Sequence, residues 1–292
     1  MIAIISHDAG GAEILSSWLK QNNEPFMLTL SGPAIKIFKR KLGKYKNHTL
    51  NDSIKNSNLI LCGTSWKSDL EKKALVKAKK NGKKVIAFLD HWTNYSERFQ
   101  FKGVKIFPDE IWVADKYAKN IAKKFFPTIK ITLKKNPYLE DIKKEFKLAS
   151  KILPPPNEND ILYVCEPIRD HAIATYKNEF YWGYTEFEAL NFFLKHLDVL
   201  KISITKIIIR PHPSDPPGKY NFIKDRAPSL ISIDNKKTLV EQILSVNTVV
   251  GCGSMALIVA LLAGKRVIST IPPEGKGFEL PYKKIELLKK MI

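Results

Sequence analysis

The chain has 292 residues, 44% of them hydrophobic and 26% charged, with a net charge of +19. That length and balance fit a soluble protein of two ordinary domains and exclude a disordered or fibrous chain. Three widely spaced cysteines, Cys62, Cys165 and Cys252, form neither a disulfide framework nor a thiolate metal site, and they point to a reducing compartment.

In chain order, residues 2–6 read as a short buried strand that reaches the polar Ser6-His7-Asp8 too soon for a signal peptide. Ala9-Gly10-Gly11-Ala12-Glu13 then leads into an amphipathic helix through Ile14, Leu15, Trp18 and Leu19. Strand, glycine-rich turn and helix make the opening of a Rossmann-like unit, although the full Gly-x-Gly-x-x-Gly is absent. Further strands are expected at Phe26–Leu30, Asn58–Cys62, Val85–Leu89, Glu110–Val113 and Ile129–Leu133. Helices are expected at Ala34–Lys41, at Asp69–Lys80 with Asn81-Gly82 as its stop, from Asp115, and up to Ser150. The proline run Pro154-Pro155-Pro156 marks a boundary, giving domains 1–150 and 151–292.

The second half starts over with a strand at Asp160–Cys165 that ends in Glu166-Pro167, then a long helix opened by Tyr184 to Glu188. Ile207-Ile208-Ile209 is a buried strand closed by Arg210-Pro211-His212-Pro213. Each proline holds the residue before it extended, so Arg210 and His212 stand on a stiff segment at the carboxyl end of a strand. Leu230–Ile233, a helix Thr238–Leu244, Thr248–Val250, the turn Gly251-Cys252-Gly253-Ser254, a helix Met255–Ala263 and a strand Arg266–Ser269 follow. The apolar run in that last helix is too short to span a bilayer, and a cytoplasmic location is expected. Strand and helix alternate throughout, so the fold class is α/β with mostly parallel sheets.

Ligands of open α/β sheets bind at the carboxyl edge. Arg210 offers a fork of donors for phosphate and His212 a proton near neutrality. Gly253 and Ser254 open a helix, where free amides and the dipole favour an anion. Glu166 ends the neighbouring strand. In the first half, Asp8 follows the first strand and precedes Gly10 and Gly11, and Asp90 ends the fourth. Either aspartate suits a general base or a helix cap. His7 and His91 read as packed or hydrogen-bonded structural histidines.

Arg210-Pro211-His212-Pro213, Gly218-Lys219-Tyr220, Gly253-Ser254-Met255-Ala256-Leu257 and Ala260-Leu261-Leu262-Ala263-Gly264-Lys265 together resemble the C-terminal half of GT-B glycosyltransferases. The resemblance is strongest to bacterial surface-polysaccharide enzymes that use CMP-activated sialic-type sugars or Kdo. It implies two Rossmann-like domains facing a central cleft. The nucleotide-sugar donor would lie on the C-terminal domain and a glycan or lipid-linked acceptor on the N-terminal one. His212 would serve the leaving phosphate, with Arg210, Lys219, Gly253, Ser254 and Glu166 around the donor. Asp8, with Asp90 as runner-up, would be the base, and Gly10, Gly11 and Glu13 would meet the acceptor. Gly253 stands where the family pattern has a serine, and Asp8-Ala9-Gly10 keeps only part of the acidic pair before a glycine. No Asp-x-Asp or metal-ligand spacing occurs, so an inverting displacement without metal or other cofactor is expected.

Rival readings are a hydrolysing UDP-sugar 2-epimerase, a non-catalytic nucleotide- or glycan-binding protein, and a nucleic-acid binder. No aromatic-basic RNA motif supports the last. Residues 1–150 hold 29 Lys/Arg against 14 Asp/Glu, a net +15, and the remainder nets +4. This asymmetry points to an anionic partner such as a membrane surface, with Lys116, Lys119, Lys123, Lys124, Phe125 and Phe126 as a contact, or to a solvated lysine-rich face.

Overall fold

The computed structural model describes residues 1–65, 68–224, 228–276 and 280–292. Its contacts divide the chain into two units, Met1–Asp141 and Ile142–Ile292. In the first, β1 (Ile2–Ser6), α1 (Ala9–Gln21), β2 (Phe26–Leu30), α2 (Pro33–Leu42), α3 (Leu50–Lys55), β3 (Leu59–Cys62), α4 (Leu70–Lys80) and β4 (Lys84–Leu89) come first. Then follow α5 (Tyr95–Arg98), a hairpin of β5 (Gln100–Phe101) and β6 (Val104–Lys105), β7 (Glu110–Val113), α6 (Lys116–Phe125), β8 (Lys130–Leu133) and α7 (Pro137–Ala149). The division falls inside α7, nine residues before the expected boundary. Gln21 on α1 holds the start of α7 through the Pro137 carbonyl (3.2 Å) and Asp141 (3.3 Å).

The first sheet is all parallel, in the order β2-β1-β3-β4-β7-β8. Its strands are covered on both faces, which is why they read as continuous apolar runs. Ile4, Leu15, Leu28, Phe38, Leu61 and Phe88 form the centre of the core. In α1 the buried Ser16 turns its hydroxyl back to the Ala12 carbonyl at 2.6 Å, so a small polar residue is accepted against the sheet. Gly82, at φ +62°, stops α4 as expected.

In the second unit come β9 (Asn157–Val164), α8 (Ile168–Tyr176), α9 (Glu186–Lys195), β10 (Lys206–Arg210), α10 (Asn221–Lys224), β11 (Ile231–Ile233) and α11 (Leu239–Leu244). They are followed by β12 (Val246–Gly251), α12 (Met255–Leu262), β13 (Arg266–Ser269) and β14 (Glu286–Leu287). The order β11-β10-β9-β12-β13-β14 repeats the plan of the first sheet, with the opening strand inside and parallel partners on both sides. Capping boxes, Thr185 with Glu188 and Thr238 with Glu241, start α9 and α11. Tyr163, Phe193, Ile207, Ile209 and Val250 lie at the centre of the core. Both units are Rossmann-like, as expected. Cys62, Cys165 and Cys252 are buried free thiols, and burial raises the pKa of each.

Candidate functional site

Each sheet has a switch point, where its connections turn to opposite sides: between β1 and β3 in the first unit, between β9 and β12 in the second. Loops at the carboxyl edge part there and leave a crevice. The expected site residues cluster at these two places.

In the first unit, His7 and Asp8 follow β1. Asp8 occupies the N-cap position of α1 yet makes no side-chain cap bond. Its Oδ1 instead lies 2.6 Å from His7 Nδ1. The carboxylate therefore receives the imidazole proton at Nδ1, and in the neutral ring Nε2 carries the lone pair. His7 is not merely packed: both side chains remain about one quarter exposed. Gly32, at φ +55°, has room for no Cβ, which would fall 2.5 Å from His7 Nε2.

Asp90 reaches the same place from β4. A Cβ on Gly10 would lie 2.0 Å from Asp90 Oδ2, so only glycine lets α1 start beneath this carboxylate. Gly11 is likewise constrained, since its Cβ would meet the Gly63 Cα at 3.3 Å. Asp90 Oδ1 is bound at 2.6 Å by Arg98, a guanidinium only 5% exposed, which also holds Thr64 Oγ1 (2.6 Å) and the Thr93 carbonyl (3.0 Å). Asp90 is thus the counter-ion of a buried arginine, whereas Asp8 is engaged only by His7 among the described contacts. Glu13 turns aside: its carboxylate pairs with Arg40 and with Lys41 (2.7 Å) on α2, where it clamps two helices together. His91 sits against Trp92, and burial lowers its pKa.

Glu71, in the first turn of α4, was not expected here. Opening the run Glu71-Lys72-Lys73, it reads as part of a solvated helix. It is 2% exposed, its Oε1 accepts the His7 backbone N–H at 2.7 Å, and its buried Oε2 has no hydrogen-bond partner among the described residues. Burial pushes its pKa up to about 7. Between pH 4.5 and 7 the folded state therefore holds more protons than the unfolded state, and stability falls as pH rises through that window. The expected fall is roughly 2–4 kcal/mol at 1.36 kcal/mol per unit. Urea unfolding at pH 5 and pH 8 should show it in the wild type and a flatter profile in Glu71→Gln. Equal pH profiles would remove Glu71 as the source.

In the second unit, β9, β10 and β12 end level: Val164 is in register with Arg210 on one side and Gly251 on the other. Two residues beyond this row stand Glu166, His212 and Gly253. The His212 backbone N–H donates to Asp215 Oδ2 (2.7 Å), and the Ser214 backbone N–H donates to His212 Nδ1 (3.2 Å). Nδ1 also lies 2.7 Å from the Ser214 hydroxyl; with Nδ1 accepting from the Ser214 amide and hydroxyl, the proton of the neutral ring is assigned to Nε2. Burial lowers the pKa of His212, Asp215 opposing and Lys219 adding to the shift. At neutral pH the ring is an uncharged donor.

Arg210 and Lys219 are engaged within the fold. Arg210 donates to Gln242 Oε1 (2.6 Å) and the Lys237 carbonyl (2.8 Å), so the fork expected to grip phosphate ties β10 to α11. Lys219 Nζ donates to Asp215 (2.8 Å) and Asp170 (3.1 Å) and forms an ion pair with Glu186 at 2.5 Å. Burial works against the ammonium, but these carboxylates outweigh it and push its pKa up. Asp215 ties this network to the His212 backbone. The amides of Gly253 and Ser254 donate to Glu166 Oε1 at 2.6 and 2.9 Å. The anion seat at the start of α12 is thus filled by the chain's own carboxylate. Burial raises the Glu166 pKa, and the amides oppose that shift without outweighing it.

No family model and no curated protein sequence matches the chain. Solved structures do. The chain is similar to a UDP-GlcNAc 2-epimerase from Methanocaldococcus jannaschii, with TM-score 0.67 and 13% identity over 99% of this chain and 90% of that one. It is similar to a putative UDP-N-acetylglucosamine 2-epimerase from Listeria monocytogenes, with TM-score 0.56 and 12% identity over 91% and 78%. The glycotransferase of kitacinnamycin gives TM-score 0.53 and 10% identity over 92% and 79%. The fold is the GT-B type of two Rossmann-like domains.

Proposed function

We propose that the chain is a glycosyltransferase that takes a sugar from a nucleotide-activated donor, CMP-activated by the Arg-Pro-His-Pro resemblance, to a glycan or lipid-linked acceptor. The observation that carries this reading is His212, held by Asp215 and Ser214 at the carboxyl edge of the second sheet with Nδ1 engaged, which assigns Nε2 as the donor. The second unit would bind the donor, and His212 Nε2–H would donate to the leaving phosphate oxygen as the anomeric C–O bond breaks. The first unit would supply the base. Asp8 orients His7, and His7 Nε2 takes the proton of the acceptor hydroxyl as its oxygen bonds the anomeric carbon. A single displacement inverts that carbon. No metal enters this scheme.

Similarity to UDP-GlcNAc 2-epimerases favours a second reading, an epimerase-like enzyme. Incubation of the full chain with CMP-, UDP- and GDP-sugars separates the two. Release of CMP from CMP-sugars, accelerated by a glycan acceptor, is the expected result. Interconversion of UDP-GlcNAc and its 2-epimer without an acceptor would replace the transferase reading.

The lysines of α6 bear on where the acceptor is met. Lys116, Lys123 and Lys124 are exposed, with Tyr117 and Phe125 beside them and Val104 exposed on the β5–β6 hairpin. Phe126 is buried, stacked on Tyr95 and edge-on to Phe99. Each lysine at an anionic bilayer contributes about 1 kcal/mol at most, and salt weakens it. Among the described residues no helix is long and apolar enough to cross a membrane. The expected result is co-sedimentation with anionic but not neutral vesicles, lost at moderate salt and in a Lys116/Lys123/Lys124→Glu variant. Equal binding to both vesicle types, or none, rules the surface out.

A further inference from the structure

Glu166, His212 and Gly253 each stand two residues past one row of paired strand residues, with the Glu166 strand between the other two. The Glu166 carboxylate lies at the first turn of α12. Its Oε1 takes two converging amides at 2.6 and 2.9 Å, the arrangement by which a helix start holds a phosphate oxygen. Ser254, at the N-cap position, makes no side-chain cap bond, so Glu166 does the capping from a strand 87 residues away. Crowding does not force it there. A Cβ on Gly253 would meet no atom within 4 Å, so the space beside the amides is open.

We propose that Glu166 is a resident substitute for a phosphate and restricts the second unit to ligands that bring one phosphate, a nucleoside monophosphate leaving group, rather than two. This rests on the reading of that unit as a nucleotide-sugar domain. A single phosphate is served by His212 Nε2–H. A second phosphate group would need the α12 amides, finds them taken, and faces a carboxylate in a half-buried setting where like charges repel more strongly than in water. The two strand-end features seen in the sequence, a histidine and a helix start, are then not two halves of one diphosphate clamp. One is a ligand group and the other is closed from within.

The test compares CMP with CDP, which differ only by one phosphate, in calorimetric titrations of the full chain. The wild type should bind CMP at least tenfold more tightly than CDP. Glu166→Gln keeps an oxygen on the amides and removes the charge, and Glu166→Ala vacates the seat. Both should raise the CDP-to-CMP affinity ratio at least tenfold over the wild type. If Glu166→Ala fails to give a cooperative melt, the glutamine variant alone decides. CDP bound by the wild type as tightly as CMP, or a ratio unchanged in the variants, overturns the role of Glu166 while the nucleotide reading stands. Failure of the wild type to bind either nucleotide overturns both.

Discussion

Replacing Lys219 by methionine should destabilise the second unit by about 3–5 kcal/mol, the usual cost of removing one partner from a buried ion network. Lys219 is 8% exposed, and two of its partners, Glu186 and Asp215, are 2% and 0% exposed at the side chain. Methionine keeps the length and apolar bulk of the stem but leaves both carboxylates without a counter-charge. Glu186 would still accept the Arg169 backbone N–H at 2.7 Å, which is too little to compensate a buried anion. For a unit of this size the melting temperature should drop on the order of 10 °C, read by circular dichroism. A lysine that instead reached out to a ligand would give a variant with a normal melt and weakened nucleotide binding. That result would return Lys219 to the donor-binding role expected from the sequence.

The largest effect on turnover is expected at the two histidines. His212→Ala should lower the rate by about two to four orders of magnitude, the range for loss of a positioned proton donor, with an unchanged melting temperature. In the first unit His7→Gln and Asp8→Asn remove two halves of one device, joined at 2.6 Å. Each should cost a similar factor, and the double variant should be no slower than the slower single one, because parts that act as a unit do not add. Rates are measured as CMP released in the presence of acceptor. Multiplicative losses would mean that Asp8 and His7 act separately, and a near-normal Asp8→Asn alongside a dead Asp90→Asn would move the base to Asp90. The latter variant needs its melt recorded too, since Asp90 also compensates the buried Arg98.

Most of the fold was legible because parallel strands covered on both faces leave an uninterrupted apolar signal. Ile207 to Ile209 and Ile111 to Val113 are such runs. What went unread was short or set by backbone geometry. The β5–β6 hairpin turns through Lys102 and Gly103, both at positive φ, and a lysine gives no warning of that. Helix α8 begins directly after Pro167 in a polar stretch, without an apolar period to announce it. The site divides in the same way. His212 was legible because its prolines fix it locally. Glu71 was hidden because its burial depends on β1 and β3 rather than on its lysine neighbours. Glu166 was visible as a strand end, but its engagement with Gly253 and Ser254 is a tertiary fact across 87 residues. Arg210 turns Nη1 to Gln242 for the same reason: a side chain's direction is decided by neighbours the local sequence does not contain.

The three free thiols give each unit its own clock. Cys62 lies within the first sheet, and Cys165 and Cys252 at strand ends of the second. Burial keeps all three protonated and shielded, so a thiol reagent can react only when the surrounding unit opens. Labelling at mild denaturant concentrations, with the modified peptides counted by mass spectrometry, would time the opening of the two Rossmann-like units separately in one unaltered chain. No engineered probe is needed, because the residues that fill the core also report when it comes apart.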